Sequence, residues 1–282
     1  MPAARGRCKA ARLTRIPYNP PVNATEDRKL EEARFHDQRE ADRHRLSPEE
    51  FLRKYPNKSF YAIDRVSKKY MHDWLAERAQ GRRVLDYCCG TGQLALQMAK
   101  LGAEAHGIDI SAEEIETAKR NAAAAGLSSR AHYAVMDAEA MSFPDDHFDV
   151  IICSGVLHHL DVARAFPELA RVLKPSGEII CAEALGYNPV IAWYRRRTPH
   201  LRTAWEAEHI LTMKEVRKGL EHFGNVHVRF FHLFTILAIP FRNSRMFDRL
   251  LSALQAIDSV VLRIPGIRLM AWQMYMVYSH PR

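Results

Sequence analysis

The chain has 282 residues, 47% of them hydrophobic, and a formal net charge of +8. That length suits one large α/β domain with additions. No apolar run reaches the roughly 18–20 residues that span a bilayer, and no secretory h-region opens the chain, so the expectation is an intracellular, cytoplasmic protein.

In chain order, residues 1–25 read as a disordered basic tail. Arg5, Arg7, Lys9, Arg12 and Arg15 all precede the first acidic residue, Glu26. This composition also fits a transit peptide, and it concentrates most of the excess charge outside any folded surface, which argues against nucleic acid as a partner. Residues 26–80 are expected to form a helical cap. Its charged segment 25–45 suits an exposed helix or coil, and Ser47-Pro48-Glu49-Glu50 is a capped helix start. Phe60, Ile63, Val66, Tyr70 and Trp74 make an apolar stripe predicting a helix over 59–79.

From Arg82 onward strands and helices alternate. Strands are predicted at 84–87, 105–109, 131–136, 148–154 and 178–182, and helices at 93–100, 111–125 and 162–173. Glu114 is expected to complete a capping box with Ser111. Helices of this spacing between strands imply βαβ units and a parallel sheet. Beyond them come a helix at 212–223 and strands at 226–234 and 269–278, for seven strands in all. Two segments interrupt the scheme, near 185–210 and 240–265, and both are expected to act as lid insertions on a domain spanning 81–282. The five cysteines, Cys8, Cys88, Cys89, Cys153 and Cys181, show no pattern of a disulfide framework or zinc site.

The run Val84-Leu85-Asp86-Tyr87-Cys88-Cys89-Gly90-Thr91-Gly92 takes a strand through a glycine turn into a helix. Such a turn lets backbone approach a ligand and presents free N–H groups. Asp109 ends the next strand, where a carboxylate can bind ribose hydroxyls. Because Gly90-x-Gly92-x-x-Ala95 also satisfies the dinucleotide fingerprint, an NAD-dependent oxidoreductase stays open at this point. Three details favour a nucleoside without phosphates. Asp86 would repel a pyrophosphate but attract a cationic ligand. Asp137 and Ala138 end the third strand, where they can meet an adenine. No Tyr-x-x-x-Lys pair of the short-chain dehydrogenase kind occurs.

Together the motifs VLDYCCGTG at 84–92, GIDIS at 107–111, MDAEAMSFPDDHFDVI at 136–151 and RVLKPSGEI at 171–179 resemble the class I S-adenosylmethionine-dependent methyltransferases, in particular the type 11 group that includes quinone and sterol methyltransferases. The resemblance implies a Rossmann-like seven-stranded sheet with S-adenosyl-L-methionine as cofactor. It assigns the methionine part to Asp86, Gly90 and Gly92, the ribose to Asp109 with Ile110 beside it, and the adenine to Asp137 and Ala138. Ser154 and Gly155 should line the methyl-transfer side. Cys88 stands where that family often has glycine. It is expected to keep negative φ and to contact the ligand, with no base to make either neighbouring cysteine a nucleophile.

Methyl transfer from a sulfonium is an in-line displacement that needs alignment, and a base only where the acceptor loses a proton. His158 and His159 follow the fourth strand and are candidates for base or acceptor-positioning group, or else are packed beneath the cofactor. Glu183, ending the fifth strand, is a further catalytic candidate or a simple hydrogen-bond acceptor. The absence of Asn- or Asp-Pro-Pro-Tyr argues against nucleic-acid bases as acceptors, and the lack of an acidic cluster after strand four implies no metal. Trp193 to Arg197 reads as a solvated face, an anion-binding segment for the substrate, or a membrane or nucleic-acid surface. The apolar face at 246–261 reads as core, dimer contact or lid. Apolar lids suit a small hydrophobic or aromatic acceptor. Peripheral membrane contact, oligomeric state and a non-catalytic binding protein of the same fold remain open.

Overall fold

A computed structural model describes residues 22–282. The expected basic tail therefore lies outside the described residues, apart from its last four, which open helix α1 (Val22–Arg45). Seven strands form a single sheet: β1 (Arg83–Tyr87), β2 (Glu104–Asp109), β3 (Ala131–Val135), β4 (Phe148–Ser154), β5 (Leu173–Ala184), β6 (Phe223–Phe231) and β7 (Gln273–Pro281). Their spatial order is β3-β2-β1-β4-β5-β7-β6. β7 runs antiparallel to both its neighbours, and the other pairs are parallel.

Parallel strands covered on both faces need consecutive apolar residues, and β1, β4 and β5 supply them. Leu85, Tyr87, Ile151, Cys153, Ile179 and Cys181 pack into one cluster. Their neighbours Val84, Val150, Ile152 and Ile180 pack into another on the opposite face, as the two-residue period of a strand requires. Helices α4 (Gln93–Lys100), α5 (Ala112–Ala124) and α6 (Val162–Val172) link these strands. The chain starts mid-sheet at β1, builds outward to β3, then jumps to β4 on the other side of β1. Strand order thus reverses between β1 and β4, and in open α/β sheets the crevice beyond the carboxyl ends at such a point is where ligands bind.

Several predicted elements shift. The stripe at 59–79 splits into a 3-10 segment (Pro56–Ile63) and α3 (Arg65–Ala76), following α2 (Pro48–Lys54). Ile63 packs with Ile191, Ala238, Phe247, Leu251 and Trp272, away from the sheet clusters that take Trp74, and Val66 is left exposed. Strand β6 ends before the predicted Phe234. The Asp258 carboxylate of the helix Phe247–Val261 accepts from the N–H groups of Leu233, Phe234 and Thr235 at 3.1, 2.7 and 3.2 Å, which captures the donors a longer strand would have used. β5 begins earlier than predicted, at Leu173, with a register shift opposite Phe148 and Val150.

The largest surprise is α1. Read as exposed, it buries Arg28, Glu32, Glu40 and Asp42. Residues 28, 32, 36 and 40 recur every four positions and so share one helix face. That face is polar because it covers the polar carboxyl edge of the sheet.

Candidate active site

A cavity of about 740 Å³ opens beyond the carboxyl ends of β1, β2 and β4. Its floor begins with the turn after β1. Cys88, Gly90 and Gly92 there have φ of 55°, 52° and 73°. The expectation of negative φ at Cys88 is corrected. The turn requires left-handed backbone at that position, where a non-glycine residue costs roughly 1–2 kcal/mol. At Gly92 a Cβ would lie 2.4 Å from the Tyr133 ring, whose hydroxyl donates to the Gly92 carbonyl at 2.9 Å. This glycine is therefore required by packing.

Buried carboxylates tie the floor together through backbone donors. Asp86 Oδ2 accepts from Ala95 N–H in the first turn of α4 at 2.9 Å. Asp109 Oδ2 accepts from Gly90 N–H and Oδ1 from Ser111 N–H, both at 2.9 Å. Burial raises the Asp86 carboxyl to about 7, and burial with the nearby Glu114 charge also pushes Asp109 up. Burial together with the Asp109 and Asp86 charges drives the Cys88 thiol well above its ordinary range, leaving it a poor nucleophile. The capping box at Ser111 forms only by half. Ser111 Oγ accepts from Glu114 N–H at 3.1 Å, but Ser111 N–H is already committed to Asp109. The Glu114 carboxylate turns instead to Arg39 of α1, 3.0 Å away. Burial alone would raise Glu114, and His36 and Arg39 outweigh it, bringing it to about 2.

Of the predicted cofactor residues, Cys88, Gly90, Asp109, Ile110, Asp137, Ala138, Ser154 and Gly155 line this one cavity. Asp86 and Gly92 do not; they lie beneath the floor and brace it. Asp137 is already engaged, with Lys29 of α1 at 2.7 Å on Oδ2 and Glu139 N–H at 2.9 Å on Oδ1.

The histidines occupy the far side of the cavity. Glu183 Oε1 accepts from Val156 and Leu157 N–H at 2.8 and 2.7 Å, and Oε2 lies 2.7 Å from His158 Nδ1. The carboxylate thus fixes the loop after β4 and calls for a hydrogen on His158 Nδ1, with Nε2 turned toward Glu206 Oε1 at 3.8 Å. His159 Nδ1 lies 3.0 Å from Glu32 Oε2 of α1. Burial pulls the His159 imidazole down, but the hydrogen bond and charge of Glu32 prevail and raise it. Glu32 is lowered in turn, its burial outweighed by His159 and Thr203. The two shifts, up for the imidazole and down for the carboxyl, both favour the charged form of this pair. Glu32, His36 and His159, and likewise His158, His159 and Glu206, hold potential metal-ligating atoms within 4.8 Å of one another. Each set is knit by its own ion pairs.

Sequence reasoning named a cap at 26–80 and an insertion near 185–210, but not the side chains that they bring to the cavity. α1 contributes Arg28, 2.6 Å from Glu139, together with Lys29, Glu32, His36 and Arg39. The segment after β5 contributes Tyr194, Arg195, Arg202 and Glu206 from α7 (Pro189–Arg197), the following turn and α8 (Ala204–Glu208). The four-residue spacing of Arg28, Glu32, His36 and Glu40 was the available signal. Among the described residues, none from 240–265 lines the cavity, and no helix is long and apolar enough to cross a membrane.

Residues 84–177 match the methyltransferase domain family. A ubiquinone/menaquinone biosynthesis C-methyltransferase of Dinoroseobacter shibae is 36% identical over 124 residues, 43% of this chain and 49% of that protein. The chain spans about half the length of the curated relatives it matches. A phosphoethanolamine N-methyltransferase of Haemonchus contortus, solved with phosphomonomethylethanolamine and S-adenosylhomocysteine, superposes with TM-score 0.57 at 17% identity, over 79% of this chain and 56% of that one. The PH0226 protein of Pyrococcus horikoshii superposes with TM-score 0.52 at 18% identity, over 77% and 91%. At these identities the likeness is one of fold, the Rossmann-like methyltransferase sheet.

Proposed function

We infer that this chain, through the methyltransferase domain at residues 84–177, is a class I S-adenosylmethionine-dependent methyltransferase acting on a small organic acceptor. The observation that carries the reading is the acidic floor of the cofactor half. Asp109 and Asp137 line it and Asp86 lies just beneath. A pyrophosphate would be repelled there, whereas a nucleoside bearing an ammonium and a sulfonium is attracted. This disfavours the NAD-dependent alternative, and no comparison supports it.

In this reading the Asp109 carboxylate, fixed by two backbone N–H groups, accepts from the ribose hydroxyls. Asp137 and Ala138 border the adenine, Gly90 and Cys88 the methionine part, and Ser154 and Gly155 the transferred methyl. S-adenosylmethionine supplies a methyl group already activated by its positive sulfur. The acceptor atom forms its new bond in line as the S–CH₃ electron pair stays on sulfur, so the protein's contribution is alignment and removal of one proton. His158 Nε2 is the group we assign to take that proton, with Glu183 as its positioning residue. The C-methyltransferase relatives favour a carbon of a quinol-type ring, and Phe60, Tyr61 and Trp272 in the same cavity offer such a ring apolar walls. α1 and the 185–210 segment serve as its cover.

Calorimetric titration with S-adenosylhomocysteine tests the reading. The protein should bind it in the micromolar range, and Asp109→Ala should weaken binding by about 100-fold, the loss of two charge-assisted hydrogen bonds. Binding of NAD in its place would overturn the assignment.

A further inference from the structure

We propose that the methyl acceptor carries an anionic group, a carboxylate or a phosphate, seated on Arg195, Arg202 and the Tyr194 hydroxyl. The proposal rests on the reading of this cavity as a methyltransferase site and names the acceptor class it takes.

The basic, aromatic run at 193–197 is sorted by helix geometry. Asn188 caps α7, its side chain accepting from Val190 and Ile191 N–H at 3.0 and 3.2 Å. Ile191 is buried with Ile63 and Phe247, which orients the helix. Tyr194 and Arg195, three and four residues on, share its inward face. Trp193, Arg196 and Arg197 point outward, with the Arg197 guanidinium 4.4 Å from the Trp193 ring. The outer residues are a solvated face. Arg195, its side chain only 12% exposed, belongs to the cavity.

Arg202 joins it there with its side chain 7% exposed. Arg195 Nη2 donates to the Glu206 carbonyl at 2.5 Å and Arg202 Nη1 to the Thr198 carbonyl at 2.8 Å, but for ion pairing both guanidiniums share one carboxylate. Glu206 Oε1 lies 3.4 Å from Arg195 Nη1 and 3.3 Å from Arg202 Nε, and also faces His158 Nε2 at 3.8 Å. The nearby Glu32 and Glu183 are committed to His159 and His158. Two buried cations therefore share one anion. Burial and the charge of Arg202 both pull the Arg195 guanidinium below its ordinary value.

The hydrogen-bond inventory points the same way. Arg202 Nε lacks hydrogen-bond geometry to Glu206 despite its proximity, and Tyr194 Oη, with Thr198 nearby, is buried without a hydrogen bond of full geometry among the described residues. Buried orphan polar groups cost about 1–3 kcal/mol each, and native structures retain few of them. Two in one cavity wall, beside two guanidiniums that share one carboxylate as ion-pair partner, form a receptor for an oxyanion. Arginine is well suited to it, since its planar fork matches carboxylate and phosphate oxygens. The Tyr194 ring packs tilted at 49° with its centroid 4.7 Å from that of Phe60, itself 5.7 Å from Trp272. The acceptor is thus an apolar or aromatic body with an anionic end.

The test uses the full chain saturated with S-adenosylhomocysteine, titrated calorimetrically with 4-hydroxybenzoate, phenyl phosphate and the neutral 4-hydroxybenzamide. At least one anion should bind about tenfold or more tighter than the amide, the equivalent of one charge-assisted hydrogen bond, and the stronger of the two identifies carboxylate or phosphate. Arg202→Met should abolish that preference. Tyr194→Phe guards against a folding failure: it removes only a hydroxyl that lacks a hydrogen bond of full geometry, so the free protein should melt no lower while anion binding weakens. Equal binding of all three probes, binding of none, or a preference that survives Arg202→Met and Arg195→Met would overturn the proposal. Saturation with S-adenosylhomocysteine reports on the methyltransferase reading separately.

Discussion

The floor and the roof of the cavity are built by different chemistry. In the floor, buried carboxylates accept from main-chain N–H groups: Asp86 from Ala95, Asp109 from Gly90 and Ser111, Glu183 from Val156 and Leu157. Beneath them lie the fully buried strands of two apolar clusters. In the roof, α1 reaches the core largely through side-chain pairs, Arg28 with Glu139, Lys29 with Asp137 and Arg39 with Glu114. Main-chain donors in these turns and helix starts are tied to carboxylates at the strand ends, so they cannot move without disturbing the sheet. Side-chain ion pairs can exchange partners, although buried ones are screened little by salt. The lesson is a division of labour: the floor holds its geometry through main-chain donors, and α1 is held over it largely through side chains.

Three measurements can break or sharpen that contrast. The largest effect is expected in the layer under the floor. Phe166 is 1% exposed and packs against Tyr278 at a ring distance of 5.6 Å. Phe166→Ala should cost about 3–5 kcal/mol in denaturant unfolding.

The second effect depends on pH. Asp86 takes up its proton near pH 7 in the fold, against an ordinary value of 3.8. Between those values the folded state binds more protons than the unfolded chain, so the stability carried by the neutral acid is full below the lower value and lost as pH rises through the upper one. Asp86→Asn keeps an acceptor for Ala95 N–H without the charge. It should raise Tm by about 3 °C or more at pH 8 and leave it nearly unchanged at pH 4. A gain of the same size at both would remove the carboxylate from the account.

The smallest effect on global stability belongs to the roof. Arg39→Lys keeps a cation beside the buried Glu114 carboxylate and should lower stability by only about 1 kcal/mol, the worth of one hydrogen bond, yet limited proteolysis within α1 should accelerate severalfold. If Arg39→Lys lowered Tm as far as Phe166→Ala, floor and roof would be one cooperative unit.

The sequence by itself determined the central sheet and its ligand edge. β4 was legible to the residue because a parallel strand buried on both faces is a continuous apolar run with clear ends. Asp109 was legible as a cavity residue because its position depends on a strand end and a turn, both local. What only the tertiary structure decided depends on partners far apart in the chain. Arg28 meets Glu139 across 111 positions, so nothing local distinguishes a buried charged helix from a solvated one. The Glu114 carboxylate left its capping box because Asp109 had already taken Ser111 N–H. Cys88 adopted left-handed backbone because the turn demanded it, whatever its side chain preferred. Tyr194 and Arg195 parted from Arg196 and Arg197 only once Ile191 had found its pocket. Periodicity records which residues a helix or strand turns inward, but the neighbour that receives them, and hence the chemistry of the site, exists only in the folded chain.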